Sequence, residues 1–326
     1  MNPFAGDKDE RIDSIGETEL IERIQTWLGD ASPPSPRGIG DDCSVLPVKS
    51  SENKLLVTAD PVVYNKHFDD FLTPEQVAGK LLKRNASDIA AMGGFPRSAT
   101  LSLALPSNLS ITWLQRFYQG LAVEAKRLDT EISGGDVSST SDFLGAFMTL
   151  IGVANERVLE RGKASLGTTI YVTGELGGSL LEKHYSFEPR LAEGQWLSTQ
   201  TAVLACMDLS DGLGKDCSAL LKPGLGVLLK AGDVPISSAA LRRSEQSGKS
   251  ALQHAINDGE DYELLFALAP STDSAAFEAE WRKTFETTLS KIGSVIKRAP
   301  NEPVLSFSGT NQSIKSSGYE HFRSTE

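Results

Sequence analysis

Gly38-Ile39-Gly40-Asp41-Asp42-Cys43 runs two glycines into two adjacent carboxylates, just ahead of Ser44-Val45-Leu46. Adjacent aspartates repel one another unless a positive charge sits between them and their neighbours. Taken alone, the stretch reads as a solvated turn, since Gly and Asp are common turn formers. It is not alone. Thr58-Ala59-Asp60, Asn85-Ala86-Ser87-Asp88, Gly134-Gly135-Asp136, Asp208-Leu209-Ser210-Asp211 and Asp258-Gly259-Glu260-Asp261 repeat the theme, each with a carboxylate beside a small residue or at the end of an apolar run. Carboxylates recurring in that setting read as oxygen ligands converging on hard cations, with small neighbours leaving room for a phosphate.

The 326 residues suffice for two domains with a core in each. A net charge of −11 argues against a nucleic-acid partner, because phosphate backbones demand clustered Lys and Arg and no basic run is present. An acidic protein that handles phosphates must bring its own cations. Three cysteines, Cys43, Cys206 and Cys217, have neither disulfide-framework nor zinc-site spacing. The polar start Met1 to Glu10 lacks an apolar signal region, and no apolar run is long enough to span a bilayer, so a cytoplasmic protein without membrane contact is expected.

Working along the chain, Leu20, Ile24, Trp27 and Leu28 recur at helical spacing before Pro33, Pro34 and Pro36 end the helix. Leu55 to Thr58 predicts a buried strand that ends at Asp60, with Pro61 removing the next ladder donor. Thr73-Pro74-Glu75-Gln76 is a helix start with a capping box, and Gly93-Gly94 is its stop. Asn85, Ser87 and Asp88 interrupt its apolar stripe, which suggests the wall of a site. A further strand (Leu101 to Leu105) and a helix from Ser110 follow. Ile132 to Asp136 reads as a strand exiting into a loop, where paired glycines let backbone N–H groups approach a phosphate. Phe143 to Val153 is a strand, and Asn155-Glu156-Arg157 marks the boundary, giving domains 1–155 and 156–326. In the second, strands are expected at Thr169 to Thr173, Gly226 to Leu229, Tyr262 to Leu268 and Pro303 to Phe307, and helices at Gly194 to Ala205 and Phe277 to Leu289. Asp208 and Asp211 would share one face if a helix opened at Ser210 or Asp211. Without a strict βαβ rhythm or a phosphate-loop motif, the fold class is α/β of the α+β type.

The ordered set Gly38-Ile39-Gly40-Asp41-Asp42, Asp60 with His67-Phe68, Asn85-x-Ser87-Asp88 through Gly93, Gly134-Gly135-Asp136, Asp208-x-Ser210-Asp211-Gly212-Leu213, Gly259-Glu260-Asp261-Tyr262-Glu263-Leu264 and Gly318-Tyr319-Glu320-His321-Phe322 resembles the thiamine-monophosphate kinases over nearly the whole chain. The resemblance implies two domains of the aminoimidazole-ribonucleotide synthetase type, a dimer formed through the N-terminal domains and ATP in the interdomain cleft. It implies transfer of the ATP γ-phosphoryl group to thiamine monophosphate, the last step toward thiamine diphosphate. By motif, Asp42, Thr58, Ala59 through its backbone, Asp60, Asp88, Asp136, Asp208 and Asp211 match magnesium positions. Tyr118, Gly135, Asp136, Arg161 and Ser210 match positions that contact ATP, and His67, Glu260 and Tyr319 match those that contact the thiamine phosphate.

This chemistry agrees with the residues. Two polyanions must be brought together, so charge repulsion and misalignment make the barrier, and several Mg²⁺ ions would neutralise and align them. No protein nucleophile is required. Three departures from the family pattern stand out: Val137-Ser138-Ser139-Thr140 after Asp136, Asp258 in place of the first of two glycines, and His184-Tyr185-Ser186-Phe187-Glu188-Pro189-Arg190 in the substrate-loop region. A selenophosphate synthetase would want a Cys in a glycine-rich N-terminal segment, and Met1 to Asp30 has none. A non-catalytic cation-binding protein would not need the Gly318 to Phe322 motif.

Overall fold

The computed structural model describes residues 1–15, 17–33, 54–154 and 157–309. Contacts divide the chain into two compact units, Met1–Ile89 with Gly94–Asn155, and Ala90–Gly93 with Glu156–Glu326.

The first unit contains α1 (Glu17–Leu28), β1 (Lys54–Val63), α2 (Pro74–Ala91), β2 (Phe95–Pro106), α3 (Ile111–Arg127), β3 (Glu131–Thr140) and β4 (Gly145–Ala154). Its four strands stand in the order β1-β4-β2-β3, with β2 and β3 parallel and the other pairs antiparallel. One face is apolar because side chains alternate along a strand: Leu101, Leu103 and Leu105 of β2 and Met148 and Leu150 of β4 are buried. Val77 of α2 and Leu114 and Phe117 of α3 line one small apolar cavity with Leu103 and Leu105, so the two helices cover that face. The capping box expected at Thr73 is formed: Thr73 N–H donates to Gln76 Oε1 at 2.8 Å and Gln76 N–H to Thr73 Oγ1 at 3.3 Å. The opposite face leaves Leu55, Val57, Phe143 and Phe147 exposed.

Two expectations for this unit need correction. Asp60 is not at a strand end, because β1 continues through Pro61 to Val63. Proline is tolerated there because β1, among the described residues, is an edge strand with a ladder on one side only. Asp136 likewise lies inside β3 rather than in a loop, since β3 runs on to Thr140 beside β2.

The second unit contains β5 (Thr169–Thr173), α4 (Lys183–Ser186), α5 (Leu191–Thr199), β6 (Val203–Asp208), α6 (Leu213–Leu220), β7 (Leu225–Lys230), α7 (Ser238–Ser247), α8 (Ala251–Asn257), β8 (Leu264–Leu268), α9 (Ser274–Thr284), β9 (Leu289–Lys297) and β10 (Leu305–Ser308). The strand order is β10-β7-β9-β5-β8-β6. Both faces of this sheet are buried. Ile170, Val172, Leu265 and Ala267 pack with Leu213, Cys217 and Leu220 of α6 and Ala255 and Ile256 of α8. Tyr171, Leu264, Phe266 and Leu268 pack with Leu197 of α5 and Phe277 and Trp281 of α9. Burial on both sides explains the unbroken apolar run Leu264 to Leu268. It also explains two misread spans. The helix expected over Gly194 to Ala205 stops at Thr199 and gives way to β6, and the one over Phe277 to Leu289 spans Ser274 to Thr284 and is followed by β9.

The polar centre of this unit is Glu263, 1% exposed, just before β8. Its carboxylate accepts from Thr173 Oγ1, Lys183 Nζ, and Arg190 Nε and Nη2, each at 2.7 Å. Arg190→Leu leaves that buried charge with only part of its support. A loss of about 3 kcal/mol is expected, which for a unit of this size lowers the thermal unfolding midpoint by roughly 6–12 °C; differential scanning calorimetry checks it.

Candidate functional site

In the first unit, Thr58 and Asp60 sit two residues apart on β1 and so point to one face, toward α2. There the Thr58 hydroxyl donates to Asp88 Oδ2 at 2.5 Å, and Arg84, one turn before Asp88, brings Nη2 to 3.5 Å from Asp60 Oδ1. Asn85 handles the backbone: its Oδ1 accepts the Asp60 N–H at 2.9 Å, and its Nδ2 donates to the C=O groups of Leu81 at 2.9 Å and Asp60 at 3.3 Å. Arg84 Nη1 also donates to Pro61 C=O at 2.9 Å. His67 Nδ1 accepts the Val63 N–H at 3.1 Å, which leaves the ring neutral with its proton on Nε2. Thr58, Ala59 and Asp60 thus lie on β1 and Asp88 on the facing side of α2, with His67 in the turn that follows β1.

Gly135 and Asp136 lie on β3, the opposite edge strand. A Cβ at Gly135 would stand 2.0 Å from Leu101 C=O, so only glycine lets β3 approach β2 this closely. Ser138, one of the departures, donates to Asp136 Oδ2 at 3.2 Å. Tyr118 is 2% exposed, its ring packed against Trp27 and Phe117, and burial pushes its phenol well above the usual range.

In the second unit, Asp208 ends β6 opposite Leu264 of β8, and Asp211 lies in the turn before α6. The shared helical face expected for Asp208 and Asp211 does not form, because the helix opens only at Leu213, behind Gly212 at φ 103°. Asp216 ties this turn by accepting the N–H groups of Asp211 at 3.0 Å and Gly212 at 3.1 Å. Burial, and then the neighbouring Asp211 charge, push its carboxyl up to about 7. Lys215 Nζ contacts Asp211 Oδ2 at 2.6 Å. Ser210 C=O accepts the Glu260 N–H at 2.7 Å, which joins the Asp208 to Asp211 turn to the turn carrying Glu260. Arg161 is exposed, on a segment tied to β6 by the Cys206 N–H donating to Glu160 C=O at 3.1 Å. Glu260 Oε2 faces His184 Nδ1 at 3.5 Å.

Asp42 and Tyr319 lie outside the described residues, as do Gly38 to Cys43 and Gly318 to Phe322. Among the described residues, no three His, Cys, Asp or Glu side chains converge as a metal-binding group. The side chains at these positions are oxygen donors, carboxylates and a hydroxyl, a chemistry that suits hard cations better than zinc or copper. Arg84, Lys215 and Asp216 were not singled out from sequence. Their spacing to the predicted carboxylates, four before Asp88 and four and five after Asp211, was the available signal once helices were placed there.

A family model for the AIR synthase related protein N-terminal domain matches residues 40–154. Thiamine-monophosphate kinase of Rhodopirellula baltica is 35% identical over 272 residues, 80% of this chain and 84% of that protein. The chain belongs to the thiamine-monophosphate kinase family. Among solved structures, AaThiL complexed with AMPPCP and TMP has a TM-score of 0.72 at 27% identity, covering 96% of this chain and 99% of that one. The hydrogenase maturation protein HypE of E. coli reaches a TM-score of 0.73 at 16% identity over 94% of this chain and 98% of that one, a likeness of fold alone. The aminoimidazole-ribonucleotide synthetase type of fold expected from the resemblance is thus the fold of this thiamine-monophosphate kinase family member.

Asn85→Ala strands the Asp60 N–H and C=O at the edge of β1. A loss of about 1–3 kcal/mol in unfolding free energy is expected, measured by urea denaturation, with Asp60 no longer held at its register.

Proposed function

We propose that this protein transfers the γ-phosphoryl group of ATP to thiamine monophosphate, giving thiamine diphosphate and ADP. The observation that carries the reading is membership of the thiamine-monophosphate kinase family along most of the chain, with the carboxylates of the motif in place on β1, α2, β3 and the β6–α6 turn. Asp60 and Asp88 with Thr58 and the Ala59 backbone, Asp136, Asp208 and Asp211, together with Asp42, are assigned to magnesium. These residues would hold several such ions, which would supply charge neutralisation of the phosphates and alignment of the reacting oxygens.

The protein's own groups do the rest. Arg84 and Lys215 pair with Asp60 and Asp211 and keep two carboxylates from repelling their neighbours. Tyr118, Gly135, Asp136, Arg161 and Ser210 are assigned to ATP, and His67, Glu260 and Tyr319 to the acceptor. The His67 Nε2–H is a donor suited to a phosphate oxygen, and the Tyr319 ring suits the cationic thiazolium. The acceptor phosphate is already ionised near neutral pH, so transfer is direct and leaves no phosphorylated protein. A turnover assay with ATP and thiamine monophosphate tests the activity, and failure to form thiamine diphosphate would refute it. Within that assay Asp60→Asn should lower turnover at least about 100-fold, a loss on the scale of one removed electrostatic group, with circular dichroism unchanged. Excess EDTA should abolish turnover and added Mg²⁺ restore it.

The same reading includes a homodimer formed through the exposed face of the four-stranded sheet, where Leu55 is 57%, Val57 68% and Phe147 41% exposed. Exposed large apolar side chains on one face of a sheet favour association. Val57→Asp with Phe147→Asp should convert a dimer to a monomer in light scattering, and a monomeric wild type would refute the proposal. A cytoplasmic location is supported by Cys206 and Cys217, which are free and buried; among the described residues no helix is long and apolar enough to cross a membrane.

A further inference from the structure

The turn that carries Glu260 takes a conformation that L-residues resist. Gly259, Glu260 and Tyr262 have φ of 71°, 54° and 51°, and each non-glycine residue in the left-handed region costs about 1–2 kcal/mol. Such a turn persists only where its surroundings hold it. Asp261, 0% exposed, accepts the Gly177 N–H through Oδ1 at 2.8 Å. Asp258 Oδ2 accepts the Gly178 N–H at 3.0 Å, and the Ser179 hydroxyl donates to Gly259 C=O. The partner turn is itself fixed, since a Cβ at Gly177 would meet the Ala255 backbone at 2.5 Å and one at Gly178 the Ala239 and Ala240 backbone at 2.4 Å. Asp258 is aimed by His254, whose Nδ1 lies 2.9 Å from its Oδ1 and whose Nε2 lies 2.6 Å from Ser247 Oγ. The departure at position 258 therefore turns its carboxylate toward His254 and Gly178.

A second observation separates Asp261 from an ordinary structural residue. Its Oδ2 is buried and has no hydrogen-bond partner among the described residues, and burial pushes the carboxyl up to about 7, with Lys183 pulling the other way and Glu263 and Asp258 adding to the rise. Selection for stability alone would not leave a buried carboxylate oxygen unsatisfied. The group is tolerated where it borders the acceptor-binding turn.

We propose that Asp261 is a positioning residue for the phosphate acceptor: it pins the Gly259 to Tyr262 turn to Gly177 and Gly178 and thereby aims the Glu260 carboxylate, with Asp258 holding the other end. This rests on Glu260 contacting the acceptor. The test uses the full-length protein, steady-state kinetics with each substrate varied in turn, and thermal unfolding. Asp261→Asn keeps an oxygen for the Gly177 N–H and should hold KM for thiamine monophosphate within about 1.5-fold. Asp261→Ala should raise it about tenfold or more while KM for ATP stays within about twofold, and combined with Glu260→Gln it should be no worse than Glu260→Gln alone, since both act through one contact. A folded Asp261→Ala with wild-type KM for thiamine monophosphate, or with equal rises for both substrates, overturns the proposal if Glu260→Gln does raise that KM. If Glu260→Gln has no effect, the assignment of Glu260 falls and the proposal with it. Should Asp261→Ala not fold, Asp258→Ala replaces it, with a rise of about threefold expected and the same overturning outcomes.

Discussion

A carboxylate buried to 1% exposure must be met by charge and hydrogen bonds from several directions, because burial removes the water that would otherwise satisfy it. Glu263 meets that demand by drawing Thr173 from β5, Lys183 from α4 and Arg190 from the entry to α5 onto two oxygen atoms. Those contacts fix the segment from Gly177 to Arg190 over the end of β8. The same segment presents Gly177 and Gly178 to Asp261 and Asp258, and His184 to Glu260. Phe187 stacks on Tyr262 with ring centroids 3.9 Å apart. The shape of the Glu260 turn therefore follows from how one buried anion is satisfied.

The first unit uses a lighter version of the same device. Asn85 satisfies the backbone of Asp60 with a neutral amide, and the Thr58 hydroxyl bridges to Asp88. These groups interrupt the apolar stripe of α2 without being stranded, because β1 supplies their partners. The carboxylates themselves remain partly exposed, as the proposed cation binding requires.

Sequence reasoning went furthest where local chemistry decides the structure. Thr73-Pro74-Glu75-Gln76 declared a helix start, and Asn85, Ser87 and Asp88 declared a polar wall on that helix. It failed where burial on both faces erases periodicity. Val203 to Met207 alternates between two cores, so its apolar run looked like the end of a helix. It failed again where a long-range partner overrides a local signal: Pro61 reads as a terminator, yet pairing with β4 carries β1 on to Val63. Nor does Asp258 announce its partner, because His254 is a neighbour only once α8 has formed. The motifs that carry the family resemblance were legible as a set, whereas Lys215 and Asp216 depend on a helix whose start is a glycine at positive φ.

Among the described residues β1 is paired on one side only, and this has a consequence for how copies of this chain can meet. From Asp60 to Val63 its backbone groups are taken by side chains: Asn85 at Asp60, Arg84 at the Pro61 carbonyl and His67 at the Val63 amide, while Pro61 has no N–H to offer. A strand so occupied cannot template another strand beside it. Extension of the sheet from that end into a continuous ribbon is blocked, and the fibre-forming route open to bare edges is closed by the same residues that position the candidate ligands.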